Sequence, residues 1–313
     1  MDDTILIVGG GPTGLAAAHG VASVGRKVVL VDKADRLGGA PILSGYAKLV
    51  PSGEWAKDAI GRMVTRVASH PNVGVHTSTK VTALEEREDD VTVTLEGEVD
   101  EPEQTFDRVL VLIGRRPSSH DIGLENTQVE VDDDGFVIVD EERRTTDERI
   151  FAVGDVVGPP LLAHKAMHEG KIAAEVIAGE AAAFDVRCIP SVIYTDPQIA
   201  WCGLTEVGAG DVDFDVQVGR FPWGASGRAL TMEAQGLTKM VFEAETERVL
   251  GVGIVGRGAE DLIAEGALAV EMGALAEDLA LTIHPHPSLS ETESEAAEAF
   301  LGLSTHILSR RKK

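Results

Sequence analysis

An α/β domain built on a parallel sheet, followed by a smaller α+β domain, is the fold class that the sequence predicts. Three observations carry this expectation. The chain opens with a strand, a glycine-rich turn, a helix and a second strand. Its early strands are short continuous apolar runs, as in parallel sheets covered on both faces. Beyond about residue 187 the strands come in a group with helices after them, the pattern of an α+β domain. A length of 313 residues suits two domains.

The elements follow in order. Thr4–Val8 is a buried strand, Leu15–Val24 a helix of small residues ended by Gly25, and Lys27–Val31 a second strand ended by Asp32. Residues 34–57, dense in glycine and proline, read as a loop, and 55–69 as a helix. Segments 73–86 and 91–97 read as strands, with a β-meander near 83–113 that closes on the run Arg108–Ile113 and Gly114. Ile150–Val153 is a further short strand ended by Gly154 and Asp155, and a helix is expected at 163–179. A boundary within 181–187 divides the chain into residues 1–182 and 183–313. Strands at about 188–194, 214–221, 237–243 and 248–255 then precede helices at 258–272 and 288–301.

Composition narrows the function. With 28 basic and 52 acidic residues the net charge is −24, which argues against a generic nucleic-acid binder and against an anionic membrane surface. The acidity reads either as a solvated surface that aids solubility or as an adaptation to high salt, where screening relieves self-repulsion. No apolar stretch approaches the ~18 residues of a membrane span. Met1-Asp2-Asp3 is acidic where a signal peptide is basic, so a cytoplasmic location is expected. Two cysteines, Cys188 and Cys202, exclude a disulfide scaffold and a cysteine zinc cluster, and no metal site is expected.

Gly9-x-Gly11-x-x-Gly14 lies between a strand and a helix, the context in which this spacing signals a dinucleotide. Gly9 permits the tight turn, Gly11 lets the backbone approach a pyrophosphate, and Gly14 allows close helix packing. The helix amino terminus offers free N–H groups to the phosphates, and Asp32 is placed for ribose hydroxyls. The motif alone does not choose between FAD and NAD. The run from Lys33 to Gly39 resembles the acid–x5–Gly-Gly pattern of FAD domains. Thr145–Asp155 resembles the distal FAD motif of two-dinucleotide flavoproteins, in which a carboxylate at the position of Asp155 binds the ribityl chain. The bland alternative for Asp155 is a turn after a strand. The first domain is thus expected to be a single FAD-type Rossmann domain.

From about Lys80 onward the chain resembles dihydrolipoamide dehydrogenase, of the pyridine nucleotide–disulfide oxidoreductases. The matching segments are Ile113–Pro117, Ile150–Asp155, Leu162–Lys165, His168–Gly170, Phe221–Ala229 and Leu281–Ser288. Residues 1–79 are more like a generic FAD-binding amino terminus, such as that of the heterodisulfide reductase A subunit. The resemblance implies FAD, a carboxy-terminal interface domain and a homodimer. It implies that Gly114, Gly154, Asp155, Leu162, Ala163 and His164 belong to the cofactor site. It also implies that His286 is the base that shuttles a proton, with Glu291 orienting its imidazole. The bland alternatives are a loop histidine between two prolines and a helix capping box, since Ser288-x-x-Glu291 has that spacing.

Two departures from the family are expected to matter. The Cys-x4-Cys pair should follow the first Gly-Gly, but residues 39–45 read Gly-Ala-Pro-Ile-Leu-Ser-Gly. Dithiol–disulfide exchange needs an attacking thiolate, so the chain alone should not perform it. The family also carries two Rossmann units where this chain carries one. Three functions stay open: an FAD-dependent oxidoreductase, served by NAD(P)H or a redox partner protein; a flavin-bearing or empty dimerising subunit of a larger complex; and an enzyme whose single site binds NAD(H).

Overall fold

The computed structural model describes residues 3–39, 54–206 and 208–308. Most of the expected 34–57 loop, the cysteine-free stretch beyond Gly39 and the basic tail lie outside the described residues. By its backbone contacts the chain divides into two units, Met1–Ile113 with Val192–Lys313, and Gly114–Ser191.

The amino-terminal part of the first unit is a four-stranded parallel sheet. β1 (Thr4–Val8) pairs with β2 (Lys27–Val31), β3 (Val73–His76) adds beyond β2, and β7 (Arg108–Val111) flanks β1. The order is β3-β2-β1-β7. Because successive side chains point to opposite faces, β1 serves two cores. Ile7 packs with Leu15, Ala18, Val28 and Leu30, and with Ile60 and Val67. The last two belong to α2 (Glu54–Ala68), while Leu15 and Ala18 belong to α1 (Pro12–Ser23). Leu6 turns the other way, onto Val31, Val93, Leu95 and Phe106. Those last three residues come from an antiparallel meander, β4 (Lys80–Glu86), β5 (Val91–Glu96) and β6 (Glu103–Phe106). The meander thus ends at Phe106, short of the expected 113, because Arg108–Val111 pairs with β1 instead. Helix α1 ends as expected: Gly25 at φ +85° donates to Ala22 and Arg26 donates to Val21, the two bonds of a Schellman cap.

The remainder of this unit holds the five-stranded sheet β10-β11-β12-β9-β8. Its strands are β8 (Ser191–Ile193), β9 (Ile199–Gly203), β10 (Val216–Pro222), β11 (Leu237–Glu243) and β12 (Val249–Val255). Helices α5 (Ala259–Met272) and α7 (Glu291–Leu301) follow the strands as expected, while the sequence reading missed β9, α4 (Gly227–Thr231), which falls between β10 and β11, and α6 (Ala276–Leu281). Helix α7 lies close on the sheet. Phe300 stacks on Phe242 with ring centroids 4.2 Å apart, and a Cβ on Gly219 would stand 2.0 Å from the Ala296 carbonyl oxygen. Lys239 is buried in β11 and ion-paired to Glu206; burial pulls its pKa down to about 8 against the pull of that carboxylate.

The second unit is mostly irregular. It has the bridges Val131↔Val137 and Arg144↔Phe151, short 3₁₀ turns at Leu124–Asn126 and Gly154–Val157, and helix α3 (Ala163–Ile177). The strand expected at Ile150–Val153 reduces to the single bridge at Phe151. Backbone bonds flank that bridge, Thr145 N–H to the Ile150 carbonyl at 3.0 Å and Ala152 N–H to the Arg143 carbonyl at 3.2 Å, and the pairing closes at the buried Asp147 turn, where the Arg149 N–H donates to Asp147 at 3.1 Å. Among the described residues no helix is long and apolar enough to cross a membrane.

Candidate functional site

The glycine turn is dictated by sterics. Gly9 sits at φ +111°, and a Cβ there would lie 2.3 Å from the Leu112 carbonyl oxygen. A Cβ on Gly14 would lie 1.8 Å from the Gly9 carbonyl oxygen, so the first turn of α1 closes onto the turn itself. Gly11 differs: among the described residues its Cβ would meet only the Gly39 Cα, at 3.9 Å, so none of them crowds its outer side. Gly11 is also the N-cap of α1, with Pro12 next, no side-chain cap and no acidic residue in the first turn. Such a helix end presents partial positive charge without a built-in counter-charge. Asp32 stands beside it, accepting from the Gly10 N–H at 2.5 Å and from the Ala34 N–H at 2.8 Å. These bonds fix its carboxylate against the turn and leave one acceptor direction on each oxygen. Gly9, Gly11, Gly14 and Asp32 therefore form one constellation, as the sequence predicted.

The remaining residues assigned to the cofactor by resemblance lie in the second unit. Gly114 has φ +105°, and among the described residues none beyond its chain neighbours stands within 4 Å of the place of its Cβ. Asp155 accepts from the Arg115 guanidinium at 2.8 Å; its side chain is 42% exposed and that of Arg115 62%, so the pair is open to exchange with a ligand. A second Arg115 N–H donates to the Leu161 carbonyl at 2.6 Å. Leu162 is the N-cap of α3 and Ala163 its first residue, and His164 Nε2 lies 2.7 Å from the Pro190 carbonyl oxygen. Gly154 is buried and donates its N–H to Glu169 Oε2 at 2.7 Å.

Sequence reasoning gave Glu169 no role. It is fully buried and also pairs with Arg143 at 3.1 Å and Lys165 at 3.2 Å. Lys165 in turn donates to the Gly158 carbonyl at 3.0 Å. The charged cluster thereby ties α3 to the turn that carries Asp155. A signal was present, since Lys165 and Glu169 are four apart on a helix, but the tie to Gly154 and to Arg143 is tertiary.

In the first unit His286 and Glu291 meet. Nδ1 of His286 lies 2.8 Å from Glu291 Oε1, and Oε2 of the same carboxylate accepts from the Ser288 N–H at 2.6 Å. The Glu291 N–H donates to Ser288 Oγ at 3.4 Å. Ser288 and Glu291 thus make a reciprocal pair just ahead of α7, whose own N-cap is Ser290 without a side-chain cap bond, while the other Glu291 oxygen meets the imidazole. Burial works to raise its pKa, but the Ser288 N–H and the His286 partner outweigh it and hold the carboxyl below its usual range. His286 is 68% exposed, with Nε2 turned from its carboxylate partner and available for proton exchange.

Comparisons with known proteins bear on these sites. A family model described as pyridine nucleotide-disulphide oxidoreductase matches residues 3–170, and the dimerisation domain of that family matches residues 189–297. Dihydrolipoyl dehydrogenase of Vibrio cholerae is 43% identical over 312 residues, which is 99% of this chain and 62% of that protein. Those of Thermus scotoductus and Haloferax volcanii are 43% and 42% identical, with 98% of this chain covered in each case and 64% and 62% of theirs. The likeness therefore extends through the amino-terminal region, beyond the segment from Lys80 that carried it in the sequence. The chain spans about 62% of the length of the curated relatives it matches. Among solved structures, LpdA of Mycobacterium tuberculosis aligns with TM-score 0.75 and 25% identity over 95% of this chain and 61% of its own. The flavoprotein disulfide reductase RclA of Escherichia coli shares the fold, with TM-score 0.71 and 24% identity over 95% of this chain and 64% of its own. The chain belongs to the pyridine nucleotide-disulphide oxidoreductase family and is dihydrolipoyl dehydrogenase-like in sequence.

Proposed function

We propose that the chain is an FAD-dependent oxidoreductase of the dihydrolipoyl dehydrogenase kind that works without that family's cysteine pair and with one dinucleotide-binding unit. The observation that carries the reading is the glycine turn, whose uncapped helix end stands beside a carboxylate fixed by the Gly10 N–H. That arrangement fits a dinucleotide: no described residue crowds Gly11 where a pyrophosphate approaches, while Gly9 and Gly14 admit no side chain. The N–H groups of α1 hold the phosphates and Asp32 takes ribose hydroxyls. By the family resemblance, Gly114, Gly154, Asp155, Leu162, Ala163 and His164 would contribute to holding the cofactor, Asp155 as the acceptor for its ribityl chain. FAD, when bound, supplies the two-electron chemistry. His286 takes up or releases a proton at Nε2, and Glu291 keeps Nδ1 protonated and the ring oriented. Cys188 and Cys202 are the whole cysteine content, and Cys202 is buried in β9, so no Cys-x4-Cys thiolate stands ready for disulfide exchange.

In this reading residues 1–182 bind the dinucleotide, residues 183–313 make a homodimer, the location is cytoplasmic, and electrons come from NAD(P)H or a partner protein. The visible spectrum of the purified protein, recorded before and after NADH, is the test. A flavin band bleached by NADH supports the enzyme. A stable unbleached band moves the function to a flavin-bearing subunit. No band, with tight NADH binding, gives the single site to NAD(H).

A further inference from the structure

Helix α7 carries a second acid one turn after Glu291. Glu295 is at i+4, so both carboxylates lie on one face of the helix. Each receives Nδ1 of a histidine from outside the helix: His286 comes from the segment before it and His306 from the segment after it. Glu295 is further held by Ser304 Oγ, which donates to Oε2 at 2.7 Å. The two pairs line one pocket of about 20 Å³ with Phe221, Ser226 and Gly227, a space fit for one water molecule.

We propose that His306 and Glu295 form a second imidazole–carboxylate pair that sets the charge state of the His286–Glu291 pair across their shared pocket. His306 is a positioning residue, acting through Glu291. The proposal rests on the proton-shuttle reading of His286 for its consequence, and on the pocket alone for the coupling itself.

The electrostatics run in both directions. The hydrogen bond and the charge of Glu295 raise the proton affinity of His306 against a small opposing effect of burial, and Glu291 and Glu298 add to the rise. The resulting cation is among the groups that hold the Glu291 carboxyl low. Among the described residues the charged groups facing His306 are thus Glu291, Glu295 and Glu298 from α7 and His286 from the preceding segment; Phe221, Ser226 and Gly227 contribute no charge. A protonated His306 keeps Glu291 ionised to lower pH, and so keeps an anion beside His286 over a wider range.

The test is a carboxyl-carbon NMR titration of Glu291 in the full-length protein, with the signal assigned by its loss in Glu291→Gln. Replacing His306 with Gln removes the cation while keeping a polar side chain. The Glu291 midpoint is expected to rise by about 0.3–0.5 pH unit at low salt, the size of coupling between charges separated by a water-filled gap. The rise should shrink at about 1 M salt, where the screening length is only ~3 Å. Ser304→Ala, which disturbs the packing of Glu295 but keeps both charges, should leave the midpoint in place. A Glu291 midpoint that is the same in wild type and His306→Gln overturns the proposal. So does a shift that Ser304→Ala reproduces, because packing would then be its cause. The titration needs neither flavin nor turnover. A moved midpoint in a protein without flavin would support the coupling while removing the FAD reading.

Discussion

Glu293, two residues beyond Glu291 on α7, has no solvent exposure, and neither of its carboxyl oxygens has a hydrogen-bond partner. Burial, reinforced by the nearby Glu265 charge, raises its pKa well above the ordinary carboxyl value of 4.5. Glu265 is itself bonded to His284 Nε2 at 2.7 Å, which anchors that acid near Glu293. The folded state therefore holds a proton that the unfolded chain releases above about pH 4.5. Stability from this residue is complete below that pH. It falls by about 1.4 kcal/mol for each pH unit until the raised folded midpoint is reached, and is constant beyond it. Two variants separate the causes. Glu293→Gln keeps the shape and cannot ionise, so its stability relative to wild type should climb with that slope from pH 4.5 upward. Glu293→Leu also removes the orphaned oxygens, each buried unsatisfied group costing about 1–3 kcal/mol, and should exceed wild type even at pH 4.5. Urea unfolding at constant salt, from pH 4 to 9, reads both effects. A wild type–Gln difference that is flat with pH would show that Glu293 ionises freely in the folded protein and would refute the reasoning.

Other expectations are open to direct measurement. Asp155→Ala should weaken FAD binding roughly ten- to hundred-fold, the worth of a charge-assisted hydrogen bond; an unchanged flavin dissociation constant in the folded variant reduces Asp155 to a turn residue. Glu169→Ala strands Arg143 and Lys165 in the interior and should cost about 3–5 kcal/mol by chemical denaturation; a loss under about 1 kcal/mol would mean that water reaches those cations. If the charge of −24 is an adaptation to salt, the melting temperature should rise steeply from low to molar monovalent salt, whereas a flat profile returns the acidity to simple solubility.

Sequence legibility followed the range of the interaction. Gly9, Gly11, Gly14 and Asp32 could be read in advance because strand, turn, helix and acid are contiguous and each glycine answers a local steric demand. The Schellman end of α1 at Gly25 is local in the same way. The run Arg108–Val111 was visible as a strand, but its partner was not: β7 returns across more than 95 residues to lie beside β1. Ile150–Val153 misled because apolar residues alone do not reveal how far a pairing runs: it is limited to a short antiparallel contact of residues 143–145 with 150–152 around the Asp147 turn. Glu169 and the His306–Glu295 pair were missed for a related reason. In the sequence they are ordinary acids on amphipathic helices, and only the fold brings Gly154, Arg143 and His306 to them.

The double engagement of Glu291 has a consequence for how such a protein evolves. One carboxylate bonds the Ser288 N–H just ahead of helix α7 and also holds the His286 imidazole. Loss of the second task does not release the first. A lineage that gave up thiol chemistry would still be held to this acid by its bond to the Ser288 N–H, in the segment that leads into α7. The glutamate can then persist after catalysis ceases to require it, so its survival speaks for folding as well as for turnover.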